Sequence, residues 1–317
     1  MNIVSINQAS QIIKNGGIII FPTETIYGIG ANAFNREAVE KIFFAKNRNK
    51  DNPLIIHIYS KDQIKDYLID DELSDILLSE LAPGPITILY KKKDKNNKIF
   101  NSLDDYLPDL ALRIPANPKA QEFLKACNLP IAAPSANLST RPSATNINML
   151  NDLKVDGIII DEHSEIGIES TIIKFDKKDT IYIYRKGIIE ENDIKKALDK
   201  HRIKNIKIQY LTKDIKSPGL LYPHYKPNCK VKLAIDLTIV EKNVGIISCQ
   251  ELNKYKFENN LTKNTKTLKE YIRYLYYYMF LLEKEGVKVI YLQDIQQDQL
   301  NLQGAKALKD RIDRASK

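Results

Sequence analysis

The chain has 317 residues, 43% of them hydrophobic, and carries 48 Lys and Arg against 40 Asp and Glu, a net charge of +8. That length and apolar content suffice for a substantial core, favour two domains over one and exclude a disordered chain. The most apolar runs, such as residues 17–21, fall far short of the roughly 18 residues that a membrane-spanning helix requires. The N-terminus has no secretory leader pattern, so an unprocessed cytoplasmic protein is the expectation.

Cys127, Cys229 and Cys249 are an odd, widely spaced set that matches neither a disulfide framework nor a zinc signature, and they read as reduced thiols. His57, His163, His201 and His224 are equally dispersed, so any metal is expected to arrive on nucleotide phosphates. A pI near 9.0 favours an anionic partner, but Lys and Asn are abundant along the whole chain. The run Lys91-Lys92-Lys93-Asp94-Lys95-Asn96-Asn97-Lys98 reads as a solvated hairpin tip rather than a nucleic-acid contact.

In chain order, Gly16-Gly17 precedes a predicted strand over 18–21 that Pro22 ends. The exit loop Phe21-Pro22-Thr23-Glu24-Thr25-Ile26-Tyr27-Gly28 then offers two hydroxyls and a carboxylate, either to a ligand or to its own turn. A helix is predicted over 36–45, with Ala38, Val39, Ile42 and Phe43 on one face. Lys46-Asn47-Arg48 and Asn52-Pro53-Leu54 lead into a strand over 54–58, followed by a helix over 61–81. Further strands are predicted over 86–90, 111–114, 131–133, 157–160, 171–175 and 181–184, with Ser135-Ala136-Asn137 just beyond the third of these. Several strands lie too close together for an intervening helix, which indicates a mixed sheet in an α/β domain spanning 1–212.

Residues 213–230 carry Pro218, Gly219, Pro223 and Pro227 without periodicity and read as a linker. Tyr222, His224, Tyr225 and Lys226 are unusual in a passive spacer and suit a segment that touches the ligand. Beyond it, strands over 232–235, 244–247 and 287–291 and helices over 268–284 and 302–315 indicate a small doubly wound α/β domain over 231–317.

No G-x-x-x-x-G-K-[ST] loop occurs, and Gly28-Ile29-Gly30 is followed by Ala31-Asn32-Ala33 rather than a third dinucleotide glycine. Phosphate must then be neutralised by side chains, and Lys46, Arg48 and Arg185 are the donors at hand, with Arg113 suited to grip a carboxylate. Taken singly, each motif also has a plain structural reading. Cations complement a helix end, Ser135 and Asn137 are turn residues after Pro134, Gly167-Ile168-Glu169-Ser170-Thr171 is a turn entering a strand, and His57 is a hydrogen-bonded core histidine.

Together, seven motifs in order resemble the YrdC-type threonylcarbamoyl-AMP synthases. These are the Phe21 to Gly28 loop, the Lys-x-Arg with Asn52-Pro53-Leu54-Ile55-Ile56-His57, Pro83-Gly84-Pro85-Ile86-Thr87, Leu112-Arg113-Ile114-Pro115, Ala133-Pro134-Ser135-Ala136-Asn137, Glu169-Ser170-Thr171 and Tyr184-Arg185-Lys186-Gly187. Ser217-Pro218-Gly219, His224-Tyr225-Lys226-Pro227 and residues 305–315 are similar to the two-domain form, so the resemblance spans nearly the whole chain. It implies a twisted mixed sheet with helices and a Rossmann-like second domain. The implied reaction joins L-threonine, bicarbonate or CO2, and ATP with Mg2+ into threonylcarbamoyl-adenylate and diphosphate. A separate transferase complex would then modify adenosine 37 of tRNA, and direct tRNA contact by this chain is left open.

By the same resemblance, Lys46 and Arg48 face the phosphates, and Asn52, Ser135, Ser143 and Arg185 complete the nucleotide site. Thr25, His57, Arg113, Ala133 and Ser170 surround threonine, Asn137 orients the Ser135 loop, and Tyr222, His224 and Tyr225 form a lid. The chain departs from the family pattern at Asn47 and Asn49, at Ser139-Thr140-Arg141 and at Leu220-Leu221. Two competing readings are a carbamoyl-adenylate transferase and an RNA-binding or ribosome-maturation protein, the latter requiring phosphate contacts without catalysis.

Overall fold

The computed structural model describes residues 2–49, 51–93, 98–101, 108–150, 153–161, 164–176, 179–211, 225–235, 244–252 and 261–317. Most of the expected linker, with Tyr222, His224 and Leu220-Leu221, lies outside these residues, as do His163 and part of the Lys91 to Lys98 run.

Ten strands form one mixed sheet. In chain order they are β1 (Ile19–Phe21), β2 (Gly28–Asn32), β3 (Ile55–His57), β4 (Ile86–Lys91), β5 (Asp109–Arg113), β6 (Ile131–Ala133), β7 (Gly157–Ile158), β8 (Thr171–Asp176), β9 (Thr180–Arg185) and β10 (Lys207–Tyr210). Their spatial order is β10-β9-β8-β4-β5-β3-β6-β2-β1-β7. Alternation along β1 sends Ile18 and Ile20 to one face and Ile19 and Phe21 to the other, so each face needs its own cover.

On the first face lie the buried sides of α2 (Arg36–Lys46), α3 (Glu72–Leu81) and α5 (Glu191–Lys200). On the second, α1 (Ile6–Lys14) and α4 (Pro118–Cys127) pack Ala9, Ile13, Ala120, Phe123 and Leu124 against Ile19, Phe21, Ile131 and Ala133. The same face over β3, β5, β4 and β8 is a separate patch of Ile55, Ala111, Leu89 and Ile172 that no described helix joins. This gap in the helical layer leaves room for a ligand. β2 fits so tightly between β1 and β6 that a Cβ on Gly30 would lie 2.6 Å from Ile131 Cγ2.

A second, all-parallel sheet has the order β11-β14-β12-β13, from β11 (Lys230–Ala234), β12 (Gly245–Cys249), β13 (Thr262–Thr265) and β14 (Val289–Gln293). Its core joins Val231, Ile247 and Leu292 to the buried sides of α6 (Leu268–Lys284) and α7 (Ala305–Ser316). Ile168 and Tyr225 belong to that same apolar cluster, so the two sheets share packed residues. Among the described residues no helix is long and apolar enough to cross a membrane, and all three cysteines are buried and free.

The expected helix over 61–81 is broken. Ser60 caps a single turn at Lys61–Gln63, a second turn spans Lys65–Tyr67, Leu68 bridges to Lys92, and Asp71 starts α3 afresh through the Ser74 N–H. Apolar spacing alone could not reveal those two extra starts. By contrast, Asn47 accounts for its departure from the family pattern, because it adopts φ +49° and ends α2 in the left-handed conformation that Asn tolerates.

Gly167 joins the two halves at close quarters. It sits at φ +87°, and a Cβ there would lie 2.2 Å from the Arg273 carbonyl oxygen of α6. Gly167→Ala is therefore expected to destabilise the protein by about 1–3 kcal/mol in urea unfolding; stability equal to wild type would show that this contact relaxes freely.

Candidate active site

Where the second face lacks a helix, an open cavity gathers residues that lie between Thr23 and Tyr225 in the sequence. Strand register sets its floor. β3 and β5 pair in parallel with His57 opposite Arg113, and β3 pairs antiparallel with β6, placing Ala133 opposite Ile55. His57 is buried edge-on to Phe21, ring centroids 5.7 Å apart. Burial first, and then the Arg113 charge, push its pKa down to about 3, so the imidazole is neutral at physiological pH.

Arg113 is itself 3% exposed. Its Nη2 donates to Glu24 Oε1 at 2.7 Å, and Glu24 Oε2 accepts the Ala116 N–H at 3.0 Å. The Arg113 Nε has no partner among the described residues, which leaves a buried donor at the cavity wall. Arg48 is aimed from the turn after α2, where its Nε and Nη2 donate to the Asn52 and Pro53 carbonyls at 3.0 and 2.9 Å.

Arg185 closes the opposite side of the cavity. Its Nε donates to the Ser170 carbonyl at 2.9 Å and its Nη2 to Ser170 Oγ at 3.0 Å. Burial lowers its pKa to about 10, still high enough to keep it charged at neutral pH. Beside it, Glu169 Oε1 accepts the Ser143 hydroxyl at 2.6 Å, while Oε2 accepts Arg311 Nε at 2.8 Å and the Tyr276 hydroxyl at 3.2 Å. Desolvation alone would raise the Glu169 pKa, but Arg311, then Arg185 and the Ser143 hydrogen bond, hold it at about 2. The Tyr225 ring stacks on Tyr276 at 5.3 Å and lies under the Arg311 guanidinium at 5.2 Å.

Arg48, His57, Arg113, Ala133, Ser135, Asn137, Ser143, Arg185 and Tyr225 line this one cavity, as do Thr23 and Glu169. Among the described residues, four expected ones do not line it. Lys46 continues the buried stripe of Ala38, Val39, Ile42 and Phe43, so its side chain enters the protein, and Nζ donates to the Ser135 carbonyl at 2.5 Å and to the Asn137 carbonyl. Burial, with Arg48 nearby, holds its pKa well below the ordinary 10.5. Lys46 therefore clamps the Ser135 loop and does not itself line the cavity. Asn52 serves Arg48 through its carbonyl, Thr25 sits behind Thr23 at 2.9 Å between their hydroxyls, and Ser170 backs Arg185 and shares a 2.7 Å hydrogen bond with Thr87.

Asn137 does hold its own loop, with Nδ2 donating to the Leu138 and Arg141 carbonyls at 2.7 and 2.9 Å. Arg141, the added cation of that loop, turns away to pair with Glu283 of α6 at 2.5 Å. The residues that sequence reasoning missed are Glu24, Glu169, Tyr276 and Arg311. Glu24 is the exit-loop carboxylate, for which sequence left ligand and turn roles open and did not suggest Arg113, Glu169 sits inside a motif without a role, and Arg311 sits in the 305–315 ending.

The depressed His57 pKa has a sign. Between about 6.5 and about 3 the unfolded chain binds a proton that the folded imidazole refuses, so folding stability falls as pH drops through that window. His57→Gln is expected to remove this contribution, narrowing the stability gap between neutral and acidic buffer in urea titrations. An unchanged pH slope would mean that His57 is protonated in the fold.

The family model described as "Telomere recombination", covering Sua5, YciO and YrdC proteins, matches residues 11–187, and that described as "Threonylcarbamoyl-AMP synthase, C-terminal domain" matches residues 189–317. Threonylcarbamoyl-AMP synthase of Pyrococcus abyssi is 31% identical across 97% of this chain and 93% of its own length. The Bacillus subtilis protein of the same name is 34% identical over 72% of this chain and 66% of its own. A crystal structure of P. abyssi Sua5 complexed with L-threonine superposes with a TM-score of 0.82 at 29% identity, covering 98% of this chain and 94% of that one. The chain belongs to the threonylcarbamoyl-AMP synthase family, in the form that carries both the YrdC-type and the Sua5 C-terminal domains.

Proposed function

We propose that this protein is an L-threonylcarbamoyladenylate synthase, condensing L-threonine, bicarbonate or CO2, and ATP to threonylcarbamoyl-adenylate with release of diphosphate. One observation carries the reading: Arg48, Arg113 and Arg185 line a single cavity with the hydroxyls of Ser135 and Ser143. Such a site matches a substrate set with one carboxylate and one triphosphate. The likeness to a threonine-bound structure along nearly the whole chain supports the amino acid named.

In this reading Arg113 takes the threonine carboxylate, since its fork is held from behind by Glu24 and its Nε has no other partner among the described residues. Ala133 and neutral His57 flank the amino acid. The threonine amine attacks CO2 and gives up a proton to water, and a carbamate oxygen then bonds the α-phosphorus as the α-phosphorus bond to the bridging oxygen breaks, that oxygen leaving on diphosphate. Negative charge grows on the leaving diphosphate, where Arg48 and Arg185 supply preorganised positive charge. Lys46 acts indirectly, holding the Ser135 and Asn137 carbonyls so that the loop presents its hydroxyl and amide groups. Asn52 and Ser170 likewise position Arg48 and Arg185.

Mg2+ belongs to the proposal as a counter-ion of the ATP phosphates. Glu169 is the one carboxylate among the lining residues, and both its oxygens are engaged, so no step is assigned to a protein-held metal. In this reading Tyr225, which lines the cavity, helps to exclude water from a labile mixed anhydride; Tyr222 and His224, the other expected lid residues, lie outside the described residues. The product would pass to a separate transferase complex acting on adenosine 37 of tRNA. A cytoplasmic setting suits three free, buried thiols.

The reading is tested with purified protein, ATP, Mg2+, bicarbonate and each amino acid in turn, following diphosphate and adenylate by mass spectrometry. The expected product needs threonine and bicarbonate together; a folded protein that makes none contradicts the proposal. Arg113→Lys keeps a cation against Glu24 but loses the fork, and should raise the threonine KM by about tenfold or more. If threonine dependence does not change, Arg113 does not bind its carboxylate.

A further inference from the structure

Arg311 is the largest fully buried side chain of the described residues, and it comes from α7, near the end of the chain. A guanidinium with no exposure is costly unless every donor is used. Here Nε reaches Glu169 at 2.8 Å, Nη1 reaches Asp310 at 2.7 Å and Nη2 reaches the Lys186 carbonyl at 2.9 Å. Two of those three partners belong to the other half of the molecule. Glu169 lines the cavity and holds the Ser143 hydroxyl, and Lys186 directly follows Arg185. The face of the same guanidinium covers Tyr225, which also lines the cavity.

We propose that Arg311 is a positioning residue of the active site: from the C-terminal domain it fixes Glu169, and through it Ser143, the Arg185 strand end and Tyr225, in the arrangement that receives ATP. The C-terminal domain is thereby part of the catalytic assembly. Glu169 acts as the joint between the halves. The groups facing it are Arg185 from β9, Arg311 from α7, Tyr276 from α6, the Ser143 hydroxyl and Tyr225, while Asp310 pairs with Arg311. Without Arg311, one of the two cations that hold Glu169 ionised is gone, and its carboxyl titrates at higher pH.

This inference rests on the synthase reading, and the two fail separately. A wild-type protein that makes no adenylate sinks the reading, whereas an active wild type with indifferent Arg311 variants sinks the inference. The test compares full-length wild type, Arg311→Gln and Arg311→Lys, each checked for folding by circular dichroism, in initial-rate adenylate formation with ATP and threonine varied separately across pH. Arg311→Gln is expected to lose about tenfold or more in kcat/KM for ATP, with threonine KM within about twofold of wild type. An acid limb should also appear, activity falling with pH where wild type is flat, because the Glu169 carboxyl now gains a proton in that range. Arg311→Lys, which keeps the charge without the fork, should abolish the acid limb and recover part of the ATP constant. Wild-type constants and a flat profile in folded Arg311→Gln overturn the proposal, as does a loss that falls equally on ATP and threonine. Should Arg311→Gln not fold, Arg311→Lys decides alone: an ATP-selective loss supports the positioning role, and wild-type ATP constants contradict it.

Discussion

Glu169 meets Arg311 across 142 residues of sequence and Tyr276 across 107, and it does so while buried beside a second arginine, Arg185. A buried ion pair of this kind adds little to net stability, yet breaking it by removing one partner costs about 3–5 kcal/mol. Its consequence is geometric. The carboxylate must remain ionised and the guanidinium must remain in place, so the turn before β8, the Ser143 hydroxyl and α7 are fixed together. The apolar contact of Ile168 with the second core and the close approach of Gly167 to α6 reinforce the same junction.

The other cations obey the same constraint. Arg113 is balanced by Glu24, Arg48 by two carbonyls, and Lys46 by the carbonyls of Ser135 and Asn137. Each is thereby aimed without a ligand, and the cavity retains three guanidinium groups against one carboxylate among its lining residues. That surplus of positive charge, in a partly desolvated setting, favours a polyanion, and its preorganisation means little rearrangement is needed as charge moves to the departing diphosphate. His57, a neutral titratable group of the floor, owes its state to burial and to its register partner Arg113.

Much of the framework was legible because it is local. The stripe of Ala38, Val39, Ile42 and Phe43 gave α2, and the α6 boundaries followed from one long amphipathic run capped by Thr267. The same stripe places Lys46 on the inward face of α2. Signals for α1 and α4 were present and passed over: a Ser5 to Gln8 capping box in one case, Asn117 before Pro118 in the other. The site was legible as motifs and illegible as partnerships. Thr23 and Thr25 share a loop, and only tertiary packing decides which hydroxyl meets the cavity. Nothing in the 12 residues of α7 reveals that Arg311 serves a carboxylate in the other half of the chain.

In the proposed function threonine and ATP lie side by side over β3, with the carboxylate and the phosphates on different arginines. A crystal structure with L-threonine and a non-hydrolysable ATP analogue tests this most directly. The predicted result is the threonine carboxylate on Arg113 and the triphosphate between Arg48 and Arg185, with Ser143 in contact and Glu169 still bound to Arg311. A triphosphate bound elsewhere, or a threonine carboxylate held by another group, would contradict it.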